Sequence, residues 1–244
     1  MFDAKGAELF IVETTFAGHA RELVNQIKLD HYDGFIAIGG DGTLHEVVNG
    51  MLTRNDHQKI PLGIIPGGSG NSFMHDLELT DPIEAAKAII QGKIQAVDTA
   101  KIEINQVTKY AMNMIGWGLV TDVGNSAEHY RWLGPSRYTI LSVIEVLRHK
   151  SRAATLILDD KKIEDEFTFI IACNSIHVGK GMKMAPKAKL DDGAIDLIVV
   201  RANVTRTRLL QVLPKLFNGS HIEEPEVSYY QTSKFSLIPE KNEI

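Results

Sequence analysis

Gly39-Gly40-Asp41-Gly42-Thr43 sets one carboxylate among three glycines, and Pro66-Gly67-Gly68-Ser69-Gly70-Asn71 is a second glycine-rich run further along. Glycine lets a backbone come close to a phosphate and turn its N–H groups toward it. A helix opening directly after such a loop adds partial positive charge at its first turn. Ser69 and Asn71 can donate side-chain hydrogen bonds to phosphate or ribose oxygens. Asp41 can accept the proton of a hydroxyl or organise a metal ion. Together these parts match what phosphoryl transfer asks of a protein, which is mainly positioning and charge neutralisation. Each residue also has a plainer reading. Asp41 can satisfy local amides in a turn, and Thr43 with Glu46 has the spacing of a T-x-x-E capping box.

The elements around the two loops give them their meaning. Gly34–Ile38 and Leu62–Ile65 are continuous apolar runs, the pattern of strands buried on both faces. Each loop therefore leaves a strand at its carboxyl end, where open α/β sheets bind ligands. One glycine-rich turn is a weak signal, but two at consecutive strand exits can together hold a triphosphate and its adenosine. Glu8–Glu13 reads as a strand, and Ala17–Leu29 and Leu44–Leu52 read as helices. Pro82–Gln91 reads as a helix with Asp81 as N-cap, proline at the first position and Gly92 as its stop. Strand–helix alternation of this kind predicts a parallel sheet with helices on its faces.

The pattern changes near residue 98. Asp98–Glu103, Lys109–Met114, Ala153–Leu158, Phe167–Asn174, Ile195–Val200 and Val227–Leu237 read as strands, several with the alternation of half-buried antiparallel sheet. Pro135–His149 and Thr205–Phe217 read as helices. The expected organisation is an α/β domain over residues 1–97, then a mostly antiparallel β domain over residues 98–244 with a helical insertion near 125–150.

Composition narrows the function classes. A formal charge of −5 argues against a general nucleic-acid binder, which needs a basic face. The one cysteine, Cys173, cannot form an internal disulfide and suits a reducing, cytoplasmic compartment. No run of about 18 apolar residues is present, so a bilayer is expected to be met from one side. Trp117, Tyr130, Trp132, Leu133 and Tyr138 have the amphipathic character of interfacial residues, and Arg148, Lys150 and Arg152 suit anionic headgroups. The plainer reading is that they form a helical cover with solvated charges.

The residues now resemble a family. Gly39–Thr43 continuing through His45-Glu46-Val47-Val48-Asn49-Gly50, with Pro66–Asn71, is similar to the two nucleotide motifs of the diacylglycerol kinase catalytic-domain superfamily, which includes sphingosine and ceramide kinases. Thr15–Ala20 and Pro186–Gly193 resemble further segments, and Gly116-Trp117-Gly118 through Asp122 to Arg137-Tyr138 resembles the sphingosine and ceramide kinase branch. The resemblance implies a phosphofructokinase- or NAD kinase-like α/β domain followed by a β-sandwich that holds lipid. It implies an ATP- and Mg2+-dependent kinase acting on the hydroxyl of diacylglycerol, ceramide or a sphingoid base at a membrane surface, with a homodimer left open. Asp41 would be the catalytic carboxylate. Gly39, Gly40, Gly42, Thr43, Glu46, Pro66, Gly67, Gly68, Ser69, Gly70 and Asn71 would form the nucleotide site. Asp192, with the carbonyls of Lys189 and Ala194, would hold a structural magnesium, a chemically sensible oxygen set. Trp117, Leu119 and Asp122 would meet the lipid.

The resemblance also marks departures. Relatives carry an additional first strand with an Asn-Pro…Gly loop before the position of Met1, and an Asp-Gly-Glu element after the position of Ile244. Their absence from this sequence keeps a second reading open, a catalytically inactive fragment or a lipid- or nucleotide-binding relative. It also predicts an exposed sheet edge and low solubility. Sphingosine kinases place a carboxylate for the lipid's amine two residues beyond Asp122, where this chain has Gly124; that favours a neutral lipid. An NAD kinase shares the first glycine motif, but Pro66–Asn71 and Asp191-Asp192-Gly193 favour the lipid branch.

Overall fold

The computed structural model describes residue 2 and residues 5–130, 132, 137–148, 150–179 and 181–241. The chain divides into two compact units, Met1–Ala96 with Lys101–Ala111 and Val97–Ala100 with Met112–Ile244.

In the first unit, α1 (His19–Gln26) packs on α2 (Asp41–Leu52), and both lie against a parallel pair, β1 (Phe35–Gly39) and β2 (Leu62–Pro66). The helical period of α2 explains its buried face: Leu44, Val47, Val48 and Met51 are all covered. Val47 and Met51 join Ala20, Val24 and Ala37 in one apolar cluster. The helices approach closely at Gly50, where a Cβ would lie 2.6 Å from the Arg21 carbonyl oxygen. Charged side chains fix both ends of α1. Glu46 accepts hydrogen bonds from the Gly18 and Ala20 amides at 2.8 and 3.2 Å. Buried Arg54 donates to the Ile27 carbonyl at 2.9 Å and to the Val24 carbonyl, and pairs with Asp56. An acid at the start of a helix and a base at its end suit the helix dipole.

A short α3 (Ser72–Asp76) follows the second loop, then α4 (Pro82–Gln91). Asp81 caps α4 by accepting from the Ile83 and Glu84 amides, and Gly92 ends it with a φ of 69°. A hairpin of β3 (Ala100–Ile104) and β4 (Val107–Ala111) turns at Asn105 and Gln106, both with positive φ. Buried Asn49 holds β4 to α2: its amide group donates to the Tyr110 carbonyl and accepts from the Tyr110 amide.

The second unit is built on a six-stranded antiparallel sheet. Its strands are β5 (Met114–Gly118), β6 (Arg152–Leu158), β7 (Lys161–Cys173), β10 (Ile195–Arg201), β11 (Val227–Thr232) and β12 (Phe235–Pro239), with a small pair β8 (His177–Val178) and β9 (Met182–Lys183) beside it. The spatial order is β11-β10-β7-β6-β12. The long β7 pairs with β6 along its first half and with β5 along its second. Alternation sorts the side chains. Leu156, Phe167, Leu197 and Val199 fill a cluster supplied wholly by the strands, so the sheet curls over its own face in the manner of a sandwich. Ile171, Cys173 and Ile198 face the other way, onto Met184, Ala185 and Ala188. On that second face α5 (Leu119–His129), α6 (Arg137–Arg148) and α7 (Arg206–Val212) add a cover through Leu119, Val146 and Leu209.

Two sequence expectations are corrected. Glu8–Glu13 forms no strand, and Leu9 through Val12 are exposed; alternation marks a segment fit to pair, but no described strand lies beside it to complete a ladder. Val227–Leu237 is two strands, because Thr232 Oγ1 bonds to the Lys234 backbone and turns the chain between them. No helix among the described residues is long and apolar enough to cross a membrane.

Candidate functional site

The two glycine-rich loops meet backbone to backbone. The parallel register places Gly39 beside Pro66, and the Gly67 amide donates to the Gly39 carbonyl at 2.8 Å. A Cβ on Gly68 would lie 2.5 Å from the Gly40 Cα, and one on Gly39 would lie 2.5 Å from Thr43 Oγ1. These glycines are required by the packing of the loops themselves. Gly42 is different: a Cβ there would meet nothing within 4 Å. It sits in the first turn of α2, whose N-cap is Gly40. First-turn amides lack intrahelical acceptors. The first backbone bond of α2 runs from Leu44 to Gly40, which leaves the Gly42 and Thr43 amides without an acceptor in the chain. This is the arrangement an anion uses at a helix start.

Asp41 joins the loops. Its two carboxylate oxygens accept from the Ser72 amide at 2.9 Å and the Phe73 amide at 3.2 Å, so the first residue of α2 caps α3. Asn71 adopts a left-handed backbone and closes the second loop on itself. Its Oδ1 accepts from the Gly68 amide and its Nδ2 donates to the Gly68 carbonyl. Ser69 is exposed at the loop tip. Thr43 and Glu46 do not form a capping box, because α2 starts at Asp41 and Glu46 serves α1 instead. The structure thus brings Gly39–Thr43 and Pro66–Asn71 together, with Glu46 supporting the neighbouring helix. His45 is held below the usual imidazole range by burial first and by Lys109 next, which favours a neutral ring beside these loops.

In the second unit the three residues expected to meet lipid do not share one surface. Trp117 packs against the cluster on the curled face, with its indole nitrogen buried and unpartnered. Leu119 is buried in the cluster under the helices. Asp122 accepts a hydrogen bond from Arg152 at 2.8 Å. Leu133 and Lys180 lie outside the described residues, as does the side chain of Tyr138.

Asp192 opens a turn with one oxygen accepting from the Ala194 amide and the other from Gln231, each at 3.1 Å. Nearby Asp98 takes the Gly193 amide at 2.7 Å. Sequence reasoning missed Asp196, which is 1% exposed with both carboxylate oxygens lacking a well-formed hydrogen bond. Burial holds its carboxyl above the usual carboxylate range, and Asp192 adds to this; the Tyr229 hydroxyl lies close by and acts the other way. Burial in turn pushes the Tyr229 phenol up, with Asp196 adding. The signal in the sequence was an aspartate at a covered position of an otherwise apolar strand. Among the described residues no cluster of three or more acidic, histidine or cysteine side chains could hold a metal. A carboxylate with carbonyl oxygens, next to a buried acid lacking compensation, is nevertheless an oxygen-rich setting that fits magnesium.

Comparison with known proteins follows the same division. The model of the diacylglycerol kinase catalytic domain matches residues 1–102, and that of the YegS C-terminal NAD kinase beta sandwich-like domain matches residues 113–243. Sphingosine kinase 1 of Arabidopsis thaliana is 29% identical over 98% of this chain and 59% of its own length. A diacylglycerol kinase of Mycobacterium tuberculosis is 29% identical over 92% of the chain and 72% of its own. The chain therefore spans about three fifths of the length of the first of these relatives. Among solved structures, a diacylglycerol kinase from Bacillus anthracis shares the fold with a TM-score of 0.74 at 24% identity, covering 98% of this chain and 78% of that one.

Proposed function

Because this chain belongs to the diacylglycerol kinase catalytic-domain superfamily, we propose that it is an ATP-dependent kinase that phosphorylates a lipid hydroxyl. The observation that carries the reading is the contrast within the glycine loops. Gly39, Gly40, Gly67 and Gly68 are consumed in holding two strand exits together, while Gly42 faces open space beside two amides without acceptors. A phosphate chain is the ligand that suits such a place. The amides of Gly42 and Thr43 bind phosphate oxygens, and Ser69 and Asn71 frame the other side. Asp41 keeps the two loops in register and presents the carboxylate nearest the transferred group, where it accepts the hydroxyl proton. Magnesium bound with the nucleotide supplies charge neutralisation. A second magnesium site, held by Asp192 and the carbonyls of Lys189 and Ala194, is structural.

The lipid is neutral in this reading, diacylglycerol or ceramide. Asp122 is already engaged by Arg152, and Gly124 offers no carboxylate for an amine. The enzyme works as a peripheral protein on the cytoplasmic face of a membrane. One observation favours the inactive alternative: both oxygens of Asp41 already serve the start of α3.

The test is transfer of labelled phosphate from ATP to diacylglycerol, ceramide and sphingosine in mixed micelles with magnesium. Labelled diacylglycerol or ceramide, lost in Asp41→Asn while that variant stays folded, is the expected result. A folded protein that binds ATP and labels no lipid would establish the inactive reading. Preferential labelling of sphingosine would overturn the neutral-lipid assignment.

A further inference from the structure

α6 is apolar on both sides. Leu141 and Val146 are buried, and Val146 packs with Leu119 and Leu209 in the cluster beneath the helices. Ile140 and Leu147, seven residues apart and so on one face, are exposed. An exposed stripe on a helix already anchored by its other side calls for a second cover. The connection from α5 to α6 adds to it. Trp132 is 78% exposed, and Tyr130 at the end of α5 is exposed as well. Large amphipathic aromatics in the open are uncommon on a surface that faces only water, and they settle at membrane interfaces.

Charge identifies the cover. The whole chain carries −5, yet Tyr130–Lys150 holds Arg131, Arg137, Arg148 and Lys150 against a single carboxylate, Glu145. That carboxylate is turned to α5, where it accepts from Ser126 Oγ at 2.7 Å; its contact with Arg148 is longer, 3.7 Å. Arg148 and Lys150 are exposed. The stripe is therefore flanked by positive charge with almost no acidic group to offset it. Basic residues beside exposed apolar and aromatic side chains suit an anionic lipid surface.

We infer that the outer face of α6, with Tyr130 and Trp132, docks this protein on anionic bilayers, the aromatic and aliphatic side chains entering the headgroup region while Arg148 and Lys150 meet lipid phosphates. The inference takes its purpose from the lipid-kinase reading, because docking here would bring the second unit to the membrane that holds the substrate.

Vesicle flotation tests it without catalysis. The protein is expected to float with phosphatidylcholine vesicles containing about 30% phosphatidylserine and to float far less with phosphatidylcholine alone. Raised salt should weaken the binding. Trp132 emission should shift to the blue on binding, a shift that Trp132→Phe removes. Arg148→Glu with Lys150→Glu should weaken binding roughly tenfold or more, since each basic residue near such a surface contributes about 1 kcal/mol. Trp132→Ser with Leu147→Ser should weaken it independently of salt. These positions are exposed, so the variants should fold, and thermal unfolding checks that they do. Absence of vesicle binding by the folded protein, or binding untouched by both double variants, overturns the inference. A wild-type dimer that Trp132→Ser with Leu147→Ser converts to monomer also overturns it, in favour of contact between two copies. Vesicle binding without lipid phosphorylation would sustain this surface and sink the kinase reading. Phosphorylation of micellar lipid without vesicle binding would do the reverse.

Discussion

Glycines of one type in the sequence do two jobs in the fold. Gly68 and Gly40 touch through their α carbons, so Gly68→Ala forces a Cβ to 2.5 Å from backbone. We expect it to destabilise the first unit by about 1–3 kcal/mol, the usual cost of overpacking. Gly42→Ala adds a methyl into open space within the first turn of a helix. Stability should hold or rise by up to about 1 kcal/mol, because alanine favours the helix, while ATP affinity falls as the methyl meets the phosphates. Thermal unfolding with an ATP titration of both variants separates the two effects. Equal loss of stability in both would remove the distinction on which the phosphate assignment rests. The glycine motif was legible in the sequence; which glycine serves the ligand was not, since that depends on what the other loop occupies. Glu46 makes the same point. Its spacing from Thr43 suggested its own helix, and the packing of α1 on α2 gave it another helix to cap.

Among the elements, α4 was readable end to end, since its N-cap, first-turn proline and terminal glycine are local signals that need no partner. Asp81→Ala should cost about 1 kcal/mol in unfolding experiments. α1 lacks such signals: its N-cap, Gly18, makes no side-chain hydrogen bond. It depends on Glu46 at one end and Arg54 at the other, both distant in sequence. Arg54→Ala strips the carbonyls at the end of α1 of a buried donor, and we expect a loss of about 2–3 kcal/mol, measured by denaturant unfolding. A change near zero would mean that water replaces the guanidinium without penalty. The Glu8–Glu13 segment shows the opposite limit. Its residues suit a strand, but a strand is stable only beside another, and pairing is not a local property.

Over the whole molecule, stability should depend on pH through His221. This ring is buried, with Nε2 2.9 Å from the Met184 carbonyl and Nδ1 unpartnered. Burial lowers its pKa from the ordinary 6.5, while the Met184 and Lys215 carbonyls oppose the shift. With the folded value below the unfolded one, the unfolded chain binds more protons in the interval between them. Stability is therefore full above about pH 6.5 and falls as pH drops through that interval. His45 is shifted in the same direction and shares the window. His221→Gln should lose less stability than the wild type between pH 7.5 and pH 5.5, as read from unfolding midpoints; an identical loss would assign the dependence elsewhere. The sequence by itself determined the succession of an α/β segment and an antiparallel β segment, because hydrophobic periodicity and caps act over a few residues. It also determined where the glycine loops fall, at the carboxyl ends of two buried strands. Only the tertiary structure decided that Asp41 caps α3, that Trp117 and Leu119 face different clusters, and that Asp196 lies buried without compensation. Those facts depend on which distant segments come into contact, and packing sets that where spacing along the chain does not.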